Sequence, residues 1–264
     1  MRPLKDLLNL QGRVALITGG AGHIGQAMAE ALAEQGARIV ILDREPQAAA
    51  QALAEAHGVE VLSLAIDLEQ EAEVRAIPER VLEVFGRLDI LIHCAAFAGT
   101  AGLPGWITPF LEQRVDTWRR ALEVNLTAPF LLTQLCVPAL RASGHGSIIH
   151  ISSLYGVVGP DMRLYEDTAM GNPAAYGASK GGLLQLNRWL STVLAPEVRV
   201  NAISPGGLWR GQPEAFVDRY VARTPLGRMG TEEDFKGAAA FLASDASAYI
   251  TGQNLAVDGG FTAW

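Results

Sequence analysis

The chain has 264 residues, 49% of them hydrophobic and 19% charged, with a formal net charge of −7. That much apolar material suits one large domain with a substantial core and excludes a disordered chain. The acidic balance and the absence of a basic run argue against a nucleic-acid or anionic-membrane surface. Only three of the basic residues are lysines: Lys5, Lys180 and Lys236.

Two cysteines, Cys94 and Cys136, are too few for a disulfide framework or a zinc cluster, and no metal site is expected. Reduced, buried thiols are the expectation, with a single disulfide between them as the alternative. The opening residues include Asp6 and lack an apolar core with a cleavage site, so no secretory leader is expected. The uncharged stretch from Asp89 to Glu112 contains Gly99, Gly102, Pro104, Gly105 and Pro109, a poor composition for a membrane helix. A soluble, cytoplasmic protein follows as the expectation.

In chain order, Val14–Thr18 reads as a buried strand, followed by a glycine-rich turn and a helix through Ala27, Ala31 and Ala33. Ala37–Asp43 is the next strand, Pro46–Ala56 a helix, Val59–Asp67 a strand and Glu69–Phe85 a helix. Leu88–Cys94 is another buried strand. Arg114–Leu140 reads as one long helix bent near Pro129. Gly146–Ser153 is a strand, Ala174–Leu194 a helix, Val198–Ser204 a strand, and Leu255–Gly260 closes the series. Strands apolar on both faces and separated by helices predict an α/β, doubly wound Rossmann fold with a mostly parallel seven-stranded sheet. No linker or repeat divides the chain, so a single domain over 1–264 is expected, with substrate-loop insertions near 97–114, 154–173 and 206–230.

The run TGGAGHIG, Thr18 to Gly25, follows the first strand and opens a helix. Glycines allow the tight turn, and the helix N-terminus then offers free N–H groups and a positive dipole end to a pyrophosphate. Asp43 ends the second strand, where a carboxylate accepts from the ribose hydroxyls of NAD and repels the 2′-phosphate of NADP. Arg44 beside it is able to pair with that phosphate, so NAD is favoured and NADP stays open.

YGASK places Tyr176 and Lys180 four residues apart on one helix face. An ammonium about 4 Å from a phenol, at an effective dielectric of about 20, is worth about 4 kcal/mol. That would draw a phenol pKa of about 10 towards neutrality and make Tyr176 a proton-transfer group.

With TGGAGHIG and YGASK stand Asp67, LDILIHCAA, VNLTAPF, HISS, RVNAISPGG and YITGQNLAVDGG. Together, over residues 10–264, they resemble the short, single-domain branch of the short-chain dehydrogenase/reductase family. The resemblance implies a Rossmann fold, a nicotinamide cofactor and a homotetramer, or a smaller homodimer. It implies that Ser153 binds the substrate oxygen and that Tyr176 is the acid/base. Lys180 would tune Tyr176 and hold the nicotinamide ribose, while Asn125 would hold a helix bend and a water leading to Lys180. Gly19, His23, Ile24 and Gly25 would line the pyrophosphate, and Asp67 and Leu68 the adenine. Cys94, Ala95 and Ala96 would give backbone contacts, and Pro205, Gly206 and Leu208 would border the nicotinamide.

Three positions depart from the family pattern: His23 stands where glycine is usual, His93-Cys94-Ala95-Ala96 replaces Asn-Asn-Ala-Gly, and Arg210 replaces a threonine. Cys94 reads as a packing residue, not a nucleophile. The long interval between Ser153 and Tyr176 carries Arg163 and Tyr165, and the next lid segment carries Arg210 and Gln212. These groups favour a hydroxylated or anionic substrate, and the insertion and chain ending resemble a bacterial subgroup of flagellin-glycan and nonulosonate pathways. The expected reaction is alcohol–ketone interconversion on a sugar, sugar phosphate or polyol. A 3-oxoacyl carrier-protein reductase and a non-catalytic NAD-binding regulator are the alternatives.

Overall fold

A computed structural model describes residues 1–98 and 103–264. Its strands are β1 (Val14–Thr18), β2 (Arg38–Asp43), β3 (Val61–Ala65), β4 (Ile90–His93), β5 (Gly146–Ile151), β6 (Val198–Pro205) and β7 (Asn254–Val257). All pairings are parallel, in the order β3-β2-β1-β4-β5-β6-β7. The order reverses direction between β1 and β4, which opens a crevice beyond the carboxyl ends of the central strands.

Helices α1 (Leu4–Leu8), α2 (His23–Glu34), α3 (Gln47–His57), α4 (Glu71–Arg75) and α5 (Ile77–Phe85) precede the midpoint. Then come α6 (Val115–Leu122), α7 (Ala128–Ala142), α8 (Ala174–Val193), α9 (Glu214–Ala222) and α10 (Lys236–Ala243). Alternate strand residues feed two cores. Ile17, Ile39, Ile41, Ile92 and Ile149 pack with Met28 and Leu32 of α2 and Ala239 of α10. Leu16, Val40, Leu42, Leu91 and Ile148 pack with Val81 of α5, Leu132 of α7 and Leu190 of α8. Each such side chain removed from water contributes about 1.5–3 kcal/mol, which is why both faces of a parallel strand are apolar.

The expected long helix of 114–140 is in fact two helices joined by a π-helical turn at Glu123–Thr127. Pro129 lacks the N–H that would reach back one turn, so the ladder loosens there, four residues after Asn125. The expected helix of 69–85 is likewise divided at Ala76 into α4 and α5. Helices α1, α9 and α10 were not expected from the sequence pattern. Of the first insertion, residues 99–102 lie outside the described residues, and the rest holds a short 3-10 turn at Phe110–Glu112. The second holds short 3-10 turns at Leu154–Gly156 and Met162–Tyr165, and the third carries α9. No helix among the described residues is long and apolar enough to cross a membrane.

Candidate active site

Three chain segments converge at the carboxyl end of β5. Ser153 follows the strand in extended backbone and caps the 3-10 turn, its Oγ accepting from Tyr155 N at 3.2 Å. That acceptor role leaves the hydroxyl proton of Ser153 to be donated to the Tyr176 oxygen or to a substrate oxygen beside it. Tyr176 and Lys180 lie one turn apart near the start of α8, as i,i+4 spacing requires. The Lys180 Nζ donates to Ile151 O at 2.7 Å and stands 6.0 Å from the Tyr176 ring centre.

Electrostatics here differ from the sequence expectation. Burial pushes the Tyr176 phenol above its usual value, and the adjacent Ser153 hydroxyl only partly opposes it. Burial also draws the Lys180 ammonium down to about 8. The ammonium is committed to a backbone carbonyl rather than to the phenol, so desolvation outweighs the pair's Coulomb attraction.

Asn125 occupies the π-helical turn, 1% exposed. Its Oδ1 accepts from Phe97 N at 2.6 Å, and its Nδ2 donates to Phe97 O at 3.3 Å and to Ser179 Oγ at 3.0 Å. Ser179 Oγ in turn donates to Tyr176 O at 2.8 Å. The π turn thus ties the exit of β4 to the helix that carries the tyrosine and lysine. Ser179 had not been singled out; its place in YGASK, on the buried side of α8, was the available signal. Thr18 was also missed: its Oγ1 accepts from Cys94 N and Ala95 N, each at 3.2 Å, and braces β1 against the loop after β4.

The glycine turn fits a dinucleotide. Gly19 has φ +65°, and a Cβ on Gly25 would meet Gly19 O at 2.1 Å, so the turn and α2 are held in close approach. Helix α2 begins after Gly22 with no side-chain cap, which leaves the N–H groups at its N-terminus for an anion. His23 and Ile24 open the helix: His23 is turned to solvent with Nδ1 3.6 Å from Glu232 Oε1, and Ile24 packs on the core. Asp43 closes β2 beside this turn, accepting from Ala21 N at 3.2 Å and Arg44 N at 2.8 Å. Asp67 Oδ1 accepts from Glu69 N at 3.0 Å, shaping the turn after β3, while the Leu68 side chain is buried in the second core. Leu68 therefore has only its backbone to offer a ligand.

At the departures from the family pattern, His93 stacks on His150 with ring centres 5.1 Å apart, and its Nε2 is 2.9 Å from Thr133 Oγ1. This pair braces β4 and β5 where an asparagine amide was expected. Both cysteines are free thiols, and burial raises each to about 12, which fits packing rather than nucleophilic roles. Ala95 and Ala96 follow Cys94 at the crevice, Ala96 exposed. Pro205 ends β6, Gly206 N bonds Val257 O at 2.9 Å, and Leu208 bridges to Gly230.

A cavity of ≈ 220 Å³ opens at Ser153 and Tyr176. Its walls include Tyr155, Tyr165, Phe216 and Tyr220, with the Tyr155 and Tyr165 hydroxyls 2.6 Å apart. No charged side chain lines it among the described residues. Tyr165 lines this cavity, whereas Arg163 faces solvent, paired with Asp161 at 2.8 Å. Arg210 pairs with Glu232 at 3.1 Å, and Gln212 clamps its own loop by accepting from Arg210 N and donating to Leu208 O. These three polar groups satisfy one another or their neighbours, which is why they do not point into the cavity.

A family model described as enoyl-(acyl carrier protein) reductase matches residues 19–262. A cis-4-hydroxycyclohexanecarboxylate dehydrogenase of Sinomonas cyclohexanicum is 38% identical over 95% of this chain and 97% of that one. A 3-oxoacyl-[acyl-carrier-protein] reductase of Thermotoga maritima is 30% identical over 96% and 99%. Among solved structures, a short-chain type dehydrogenase/reductase from Mycobacterium marinum superposes with TM-score 0.86 at 29% identity, covering 99% of both chains. An NADPH-dependent 3-quinuclidinone reductase from Rhodotorula rubra gives 0.87 at 32% identity, covering 100% of this chain and 97% of that one. A xylitol dehydrogenase with bound NAD+ gives 0.83 at 31%, covering 95% and 99%.

Proposed function

The chain belongs to the short-chain dehydrogenase/reductase family, and we propose that within it the protein interconverts a compact, uncharged cyclic secondary alcohol and its ketone, preferring NAD. Membership makes it an oxidoreductase of CH–OH groups that uses NAD or NADP. The observation that carries the narrower reading is the aromatic, charge-free cavity at Ser153 and Tyr176. Flat rings on its walls suit a flat or puckered ring, and a sugar phosphate finds no cation there. The relative named for a hydroxycyclohexanecarboxylate supports the ring but not the acid, because no cationic side chain lines the cavity among the described residues.

When bound, the nicotinamide supplies or accepts the hydride. Ser153 donates a hydrogen bond from its hydroxyl to the substrate oxygen and fixes its position. Tyr176 passes a proton to that oxygen in ketone reduction or takes it in alcohol oxidation. The protonated phenol that burial favours is the form reduction needs, so oxidation requires the higher pH. Gly19, Ile24 and Gly25 would hold the pyrophosphate by backbone, with Asp43 at the adenosine ribose, where its carboxylate disfavours a 2′-phosphate.

The test is a panel of cyclohexanols, polyols, sugar phosphates and an acetoacetyl thioester, scored with NAD and NADP. Ring alcohols should give the highest kcat/KM. Tyr176→Phe should lose about 10²–10⁴-fold in turnover while retaining dinucleotide binding. A sugar phosphate preference would return the reading to the nonulosonate-type subgroup. Thioester preference would favour the 3-oxoacyl carrier-protein reductase, the reading that the Thermotoga relative favours. Turnover by Tyr176→Phe at the parent rate would sink the proton-transfer role.

A further inference from the structure

At the end of the sheet opposite Tyr176, residues just ahead of β1, β4 and β5 line a cleft of ≈ 310 Å³. Arg2, Arg13, Arg87 and His145 meet there with Asp6 and Asp245, and no apolar side chain contributes. Asp245 is shared by Arg13 Nη2 at 2.6 Å and Arg2 Nη1 at 2.8 Å, with His145 Nδ1 at 3.7 Å. Arg87 is committed to the fully buried Asp89, at 2.6 Å. Behind them stands Arg199, which bonds Ser247 Oγ and the carbonyls of Leu242 and Ser244 and still feels both Asp245 and Arg13. Four guanidiniums therefore face three carboxylates, before His145 is counted.

One donor in this cluster is left over. Arg13 is 8% exposed, and its Nη1 is buried without a partner among the described residues. An unpaired, desolvated cationic donor is among the costlier things a fold can retain. Nothing in the reaction at the other end of the sheet uses it.

We propose that this cleft binds a phosphate-type oxyanion, either inorganic phosphate or the phosphate of a small monoester, held by Arg13, Arg2 and His145. A guanidinium fork matches the oxygen spacing of such an anion, and one or two negative charges cancel the surplus around Asp245. Arg2 adjoins α1, Arg13 leads into β1 and Asp245 opens the 3-10 turn after α10, so a bound anion would tie the N-terminal helix to the sheet.

The test uses the full chain saturated with NAD, so that the glycine turn does not compete for the probe. Inorganic phosphate and glycerol 3-phosphate are titrated at constant ionic strength against chloride, with Tm and calorimetric Kd as readouts. Saturating probe should raise Tm by about 2–4 °C. In Arg2→Ala/His145→Ala, both at the rim, the rise should vanish and Kd weaken at least about tenfold, with KM for NAD unchanged. Tighter binding of the monoester assigns the site to a phosphorylated metabolite, and tighter binding of inorganic phosphate to the free ion. No Tm rise above chloride, or an equal rise in the double variant, would overturn the proposal. If the chain fails to bind NAD, the cofactor reading fails, while the parent–variant difference still decides the anion site.

Discussion

Replacing Lys180 by methionine should make the protein more stable while abolishing its turnover. Lys180 is 2% exposed, and burial lowers its pKa from 10.5 to about 8. The folded chain therefore holds this proton more weakly than the unfolded chain does. Below about pH 8 both states carry the proton, and the full cost of the buried ammonium is in place. Between about 8 and 10.5 the folded state sheds the proton first, so this group's penalty shrinks as pH rises. The span corresponds to about 3 kcal/mol. Methionine fills a similar volume without charge, but leaves the Ile151 carbonyl without the 2.7 Å bond, a loss of about 1 kcal/mol. A net gain of about 2 kcal/mol near pH 7 follows, or about 4–8 °C in Tm for a chain of this size. Urea and thermal melts of parent and Lys180→Met at pH 7, 8, 9 and 10 measure the difference. It should be largest at pH 7 and fall away by pH 10. A difference independent of pH, or a variant less stable than the parent at pH 7, would refute the reasoning.

Asn125→Ala removes three hydrogen bonds at a buried site and should cost about 3–4 kcal/mol in urea melts. Paired with Ser179→Ala in a double-mutant cycle, it should show coupling of about 1 kcal/mol, and strict additivity would break the proposed link to α8. Gly25→Ala places a methyl 2.1 Å from Gly19 O, so the purified variant should lose dinucleotide binding by calorimetry, and parent-like affinity would contradict the close approach. Asp43→Ser removes the carboxylate beside Arg44, and the ratio of kcat/KM for NAD to NADP should fall by about tenfold or more. An unchanged ratio would remove Asp43 from cofactor selection.

The strands were legible because a buried parallel strand is a local property: Val14–Ile17 and Ile90–Ile92 are apolar on both faces wherever the sheet places them. The glycine turn and the Tyr176–Lys180 pair were legible for the same reason, since both are defined by spacing within one element. Helix α9 escaped because its apolar residues are interspersed with charged ones in a lid segment, and α10 because its eight residues, KGAAAFLA, are apolar nearly all round and too short to show a period. Arg163 faces solvent because which way a side chain turns depends on how its partner is anchored in the fold. Asp161, two residues away, takes its guanidinium, and Arg223 across the lid anchors that same carboxylate, which holds Arg163 away from the cavity.

Lysine scarcity already singled out Lys180, and its spacing from Tyr176 put both on one helix face. What that ammonium does there was decided only by the tertiary structure. Burial beneath Ile151 O turns an expected Coulomb partner of the phenol into a desolvated base that titrates near 8. Spacing along a helix sets which groups can meet, whereas solvent exclusion, which needs the whole fold, sets what their charges cost.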